Sequence, residues 1–96
     1  VLERAHHRIL FERLRTPFAE IDLVALNPAT STLALIEVKA ARLNLDSDQL
    51  VGWQQRTRLT RAQLWMSERY SQWHVRSMLA VVADSGQITW VADFLS

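Results

Sequence analysis

The sequence contains no cysteine, which excludes disulfide stapling and thiolate metal sites. It has only two glycines, Gly52 and Gly86, too few for a phosphate-cradling loop. No apolar run approaches the roughly 20 residues that span a bilayer. No signal peptide is expected either, because Glu3, Arg4, His6, His7 and Arg8 stand where an apolar stretch would be needed. These absences point to a cytoplasmic protein with no membrane partner. Histidine is scarce and has no metal-ligand spacing. His6 and His7 would point to opposite faces of a strand, and His74 is isolated. Serine occurs in no nucleophile-elbow context. An excess of one charge is also lacking: the net charge is +1, so whole-molecule electrostatics make no case for nucleic acid.

What is present describes one ordered domain over residues 1–96. Apolar residues make up 49% and four are tryptophans, which excludes a disordered chain. A chain this short can bury only one sheet with a few helices around it. The basic residues are unevenly placed. Ten of eleven are arginine, and Lys39 is the lone lysine. Arg56, Arg58, Arg61, Arg69 and Arg76 share a segment with a single acid, Glu68, and Arg4, Arg8, Arg13 and Arg15 form a second group. Arginine suits bidentate phosphate contacts, and Arg42, Arg56, Arg58 and Arg61 are the candidate nucleic-acid contacts. The plainer alternative is a solvated helix face. Trp53, Trp65, Trp73 and Trp90 either stack bases or, more in keeping with their bulk, pack between helix and sheet.

Residues 1–6 read as the end of a helix and 7–15 as an extended segment, with Pro17 breaking regular structure. Residues 19–26 and 32–40 are short apolar runs bounded by turn chemistry, and predict a hairpin around Asn27-Pro28-Ala29-Thr30-Ser31. The second run is apolar nearly throughout, as in a strand buried on both faces. Asp46 and Gln49 have capping-box spacing before a helix over about 48–72. Leu59, Ala62, Met66 and Tyr70 would face the core. Two strands follow, 77–83 and 88–94, joined by a turn containing Gly86. This order predicts an α/β or α+β domain, a mixed β-sheet flanked by helices.

Alternation puts Glu20 and Asp22 on one face of the first hairpin strand, and Glu37 and Lys39 on one face of the second. A hairpin symmetric about its turn sets Asp22 directly opposite Glu37, with Cβ atoms about 4.5–5.5 Å apart. Two carboxylates facing each other on buried strands repel, and desolvation worsens the conflict. A hard divalent cation between them, Mg²⁺ or Mn²⁺, removes it. Lys39 would then orient or deprotonate an attacking water and offset transition-state charge. The alternative is a neutralised ion-pair cluster of Asp22, Glu37 and Lys39.

The stretch H-R-I-L-F-E-R-L-R-T-P-F-A-E-I-D-L-V-A, followed by L-A-L-I-E-V-K-A, resembles the YraN-like family of bacterial predicted endonucleases. That family belongs to the PD-(D/E)xK superfamily and is similar in fold to archaeal Holliday-junction resolvases. The match is without gaps inside Glu20–Ala25 and Ile36–Lys39. Arg58-Leu59-Thr60-Arg61-Ala62 looks like the family's basic helix, and Ile88–Phe94 like its closing strand. Ala19 stands where the family has glycine. The family carries an N-terminal helix with a glutamate that approaches the metal site, and on this alignment that residue falls upstream of Val1. The resemblance implies a restriction-endonuclease-like core. It implies a Mg²⁺- or Mn²⁺-dependent endonuclease that hydrolyses DNA phosphodiester bonds by water attack, in repair or recombination. Asp22, Glu37, the Val38 carbonyl and Glu20 would hold metal, Lys39 would be the catalytic lysine, and Gln55 or its neighbour Gln54 would touch the reacting groups. Cutting two strands would need two sites, hence the expectation of a homodimer. A module that keeps the fold and binds nucleic acid without cutting is the alternative.

Overall fold

The computed structural model describes residues 7–41 and 50–95. The expected helix end at 1–6 and the Asp46–Gln49 capping box lie outside them, as does Arg42. The described elements are β1 (Arg8–Arg15), β2 (Glu20–Asn27), β3 (Thr32–Ala40), α1 (Trp53–Arg69), β4 (His74–Val82) and β5 (Ile88–Ala92). The strands form one sheet in the order β1-β2-β3-β4-β5. Only β3 and β4 run parallel, and the other pairs are antiparallel, so the sheet is mixed. A parallel pair needs a crossover, and α1 supplies it.

Local chemistry sets each boundary. The β2–β3 turn is started by Asn27, whose Oδ1 accepts the Ala29 N–H at 3.1 Å. It closes at Ser31, in the left-handed region at φ 54°. The Ser31 carbonyl accepts the His74 N–H at 2.8 Å, which fixes the start of β4 against that of β3. This contact begins β4 at His74, three residues before the expected strand start. The helix begins at Trp53, later than expected, because Gly52 is extended at φ −62°, ψ 158° and offers no side-chain cap. It ends at Tyr70, whose N–H bonds the Met66 carbonyl and whose ring stacks on Trp73 at 5.7 Å. Strand β5 stops at Ala92, before Phe94, because Asp93 turns to φ 52° and its carboxylate is held by the Arg76 guanidinium.

The core lies on both faces of the sheet. On the helix face, Ile21, Val24, Leu33 and Leu35 pack against Ala62 and Met66 of α1. Beside them Val51, Leu59, Leu79 and Phe94 form a second cluster. On the opposite face Ala25, Ala34, Ile36 and Ala80 are buried beneath Ile9, Leu23, Met78 and Trp90. Strand β3 is therefore buried on both sides, as its unbroken apolar run predicts. Trp65 and Trp73 pack on the helix face and Trp90 on the other, whereas Trp53 is 73% exposed. Met66 is fully buried at the helix–sheet contact. Met66→Ala should lower the unfolding free energy by about 2–4 kcal/mol in chemical denaturation, with an unchanged dependence on denaturant.

Candidate active site

Strands β2 and β3 pair in the register expected from the sequence. Backbone partners run from Asn27–Thr32 to Leu23–Ile36, so Asp22 and Glu37 occupy the next position. There the side chains take over from the backbone ladder. The Asp22 N–H donates to Glu37 Oε1 at 3.3 Å, and the Val38 N–H donates to Asp22 Oδ2 at 2.8 Å. Each carboxylate thus satisfies the facing strand's peptide, which accounts for two acids being tolerated at this point.

Glu37 is only 5% exposed, while Asp22, Lys39 and Gln55 are half-buried. Burial pushes the Glu37 carboxyl up from its ordinary 4.5 to about 7, and the negative charge of Asp22 adds to the rise. The Asp22 backbone hydrogen bond and the Lys39 charge oppose it, and Glu20 contributes a smaller rise. Lys39 Nζ donates to Gln55 Oε1 at 3.2 Å, and Gln55 Nε2 donates to Glu37 Oε2 at 3.4 Å. The first turn of α1 therefore ties the lysine to the glutamate through one amide.

Gln55, rather than exposed Gln54, faces the site. Helical spacing carried that signal: Gln55, Leu59, Ala62 and Met66 fall on one stripe. Glu20 is exposed at the start of β2, its carboxylate 3.8 Å from Arg15 Nε, and makes no hydrogen bond to the other three acidic and basic groups. Arg58 and Arg61 are exposed on α1. Arg56 instead reaches the C-terminal turn, donating to the Phe94 carbonyl with its guanidinium 5.9 Å from the centre of the Phe94 ring.

Two further features were not singled out in the sequence. Ser77 is buried on β4 and its hydroxyl donates to Gln63 Oε1 at 2.6 Å, a second polar link between helix and sheet. Ser77 also lines, with Ile21, Leu35, Glu37, Leu59 and Phe94, a cavity of about 10 Å³ under the glutamate. On the β1 side a cleft of about 620 Å³ is lined by Glu12, Arg13, Asp22, Leu23 and Val38. Neither was legible, because the first depends on α1 docking and the second on the course of β1.

The donor set suits a hard, well-hydrated cation. Among the described residues no group of three His, Cys, Asp or Glu side chains is placed to hold a metal. Two carboxylates, Asp22 and Glu37, are oxygen donors of the kind taken by Mg²⁺ or Mn²⁺, which keep much of their water. The buried, charge-opposed Glu37 is the feature such an ion would relieve.

The sheet and helix define an α/β domain compatible with a restriction-endonuclease-like core. Residues 1–83 match the family described as "Uncharacterised protein family UPF0102", and the chain belongs to that family, the YraN-like group its motifs resemble. It is 40% identical over 70 residues to a UPF0102 protein of Maricaulis maris, covering 72% of this chain and 54% of that one. It is 43% identical over 61 residues to a UPF0102 protein of Nitrobacter winogradskyi, covering 62% of this chain and 50% of that one. The chain spans about half the length of the curated relatives it matches. Among the described residues no helix is long and apolar enough to cross a membrane.

The Glu37 shift has a definite sign. Folding raises the affinity of this carboxyl for a proton, so the folded state is favoured below about pH 4.5 and progressively loses that advantage up to about pH 7. In EDTA, Glu37→Gln should therefore gain stability over the parent as pH rises from 4.5 to 8. The gain should be on the order of 2 kcal/mol, read as a pH-dependent difference in melting temperature.

Proposed function

We propose that this protein is a Mg²⁺- or Mn²⁺-dependent phosphodiesterase that cuts DNA by water attack, serving repair or recombination. The observation that carries the reading is the set Asp22, Glu37, Lys39 and Gln55. It joins two opposed carboxylates on a hairpin to a lysine held over them by a helix amide.

Asp22, Glu37 and the Val38 carbonyl would hold the cation, and exposed Glu20 would be an outer participant. When bound, the ion supplies Lewis-acid polarisation of the scissile phosphate and lowers the cost of deprotonating water. The remaining work falls to the chain's own groups. Lys39 spends one of its three donors on Gln55 and has two left for the attacking water or a non-bridging phosphate oxygen. Its position beside Glu37 directs positive charge to where negative charge develops as the leaving oxygen departs. Gln55 limits the lysine's rotamers and keeps Glu37 turned toward the same point, which lowers the ordering cost in the transition state. Arg58 and Arg61 on the exposed part of α1, together with Arg42, would contact the DNA backbone. Arg56 would serve from the same helix while bracing Phe94.

The test is cleavage of labelled duplex, single-stranded and branched DNA with Mn²⁺, Mg²⁺ or EDTA. Metal-dependent product from the parent, reduced at least about a hundredfold in both Asp22→Asn and Lys39→Ala, is the expected result. Product that survives in both variants, or no product from any DNA, would contradict it. DNA binding without product would favour the non-cleaving module.

A further inference from the structure

The residue that faces Asp22 from the other side is Arg13. Strand β1 pairs with β2 through Glu12–Leu23 and Leu14–Ile21, so Arg13 and Asp22 stand across from each other between two rungs. The rung between them is missing because Arg13 is in the left-handed region, at φ 51°. A residue with a long side chain loses on the order of 1 kcal/mol in that conformation. Nothing within the described structure recovers this loss through the guanidinium. Arg13 is exposed and makes no hydrogen bond or ion pair with a described residue, although Glu12 and Asp22 line the same cleft.

We propose that Arg13 is a substrate-binding residue that grips a backbone phosphate of the nucleic acid in the cleft between β1 and β3, beside Asp22. The inference rests on the phosphodiesterase reading and adds where the substrate lies. Arg13 lines the cleft together with Asp22, whereas Lys39 is engaged by Gln55 on the helix side. The cleft, at about 620 Å³, is large enough for a phosphodiester and its sugar, and Val38 and Leu23 give it an apolar wall. A polyanion entering beside Glu12 and Asp22 needs a cation there, and a planar guanidinium matches two phosphate oxygens at once. The turn at Arg13 departs from the β1–β2 ladder at the position beside the acidic pair.

The test is DNA binding by fluorescence anisotropy, with Ca²⁺ in place of Mn²⁺ and over a series of salt concentrations, alongside the Mn²⁺ cleavage assay. Arg13→Asn removes the charge while keeping a residue that tolerates the left-handed backbone, and Arg13→Gly is the second variant should the first fold poorly. Arg8→Asn removes an exposed cation of the same strand outside the cleft. Both Arg13 variants should bind about five- to tenfold more weakly than the parent, with about one unit less slope in log Kd against log salt. Arg8→Asn should stay within about twofold. Arg13 variants that bind like Arg8→Asn, while the parent binds and cuts, overturn this proposal and leave the phosphodiesterase reading standing. A parent that binds no DNA overturns both.

Discussion

Asp22 and Glu37 face each other at the point where a buried hairpin stops pairing through its backbone, and the rest of the site is arranged around that opposition. Each carboxylate accepts a peptide N–H of the other strand, so the two acids are structural substitutes for a missing rung. That substitution satisfies hydrogen bonds but does not remove the repulsion. The result is a glutamate whose proton affinity lies near neutrality, next to an aspartate and a lysine. Apolar residues of the same shape would pack here without such a conflict. The divalent cation proposed above would relieve it.

The helix fixes the geometry of the site from above. Its buried stripe, Leu59, Ala62 and Met66, docks it on the sheet, and the polar positions on the same side reach down to specific partners. Gln55 meets Lys39 and Glu37, and Gln63 meets Ser77. Arg56 braces the turn after β5, where the Arg76–Asp93 pair bends the chain so that Phe94 enters the core beneath the helix. Phe94 in turn walls the small cavity under Glu37. Stability and site geometry are thus linked through α1.

Much of this was readable in advance, for identifiable reasons. The hairpin register followed from a short turn between two apolar runs, and it alone placed Asp22 against Glu37. The double-sided burial of β3 followed from its lack of alternation. Gln55 and Gln54 stayed unresolved in the sequence, although Gln55 shares the helical stripe of Leu59 and Ala62. Other features depend on tertiary contacts that leave no local mark. The helix starts at Trp53 because of the extended backbone at Gly52, and β4 starts early because His74 bonds Ser31. The left-handed turn at Arg13 has no glycine or asparagine to announce it. Arg56 looked like any other member of a basic helix, and only the fold of the C-terminal turn assigns it to Phe94.

The proposed site rests on the opposed carboxylates holding a cation. It is tested most directly by titrating Mn²⁺ into the protein at pH 8 and following the free-ion signal by electron paramagnetic resonance, with Asp22→Asn and Glu37→Gln in parallel. Saturable binding by the parent, lost or greatly weakened in both variants while their folded spectra persist, is the expected result. Binding that is absent in the parent, or equal in all three proteins, would contradict it.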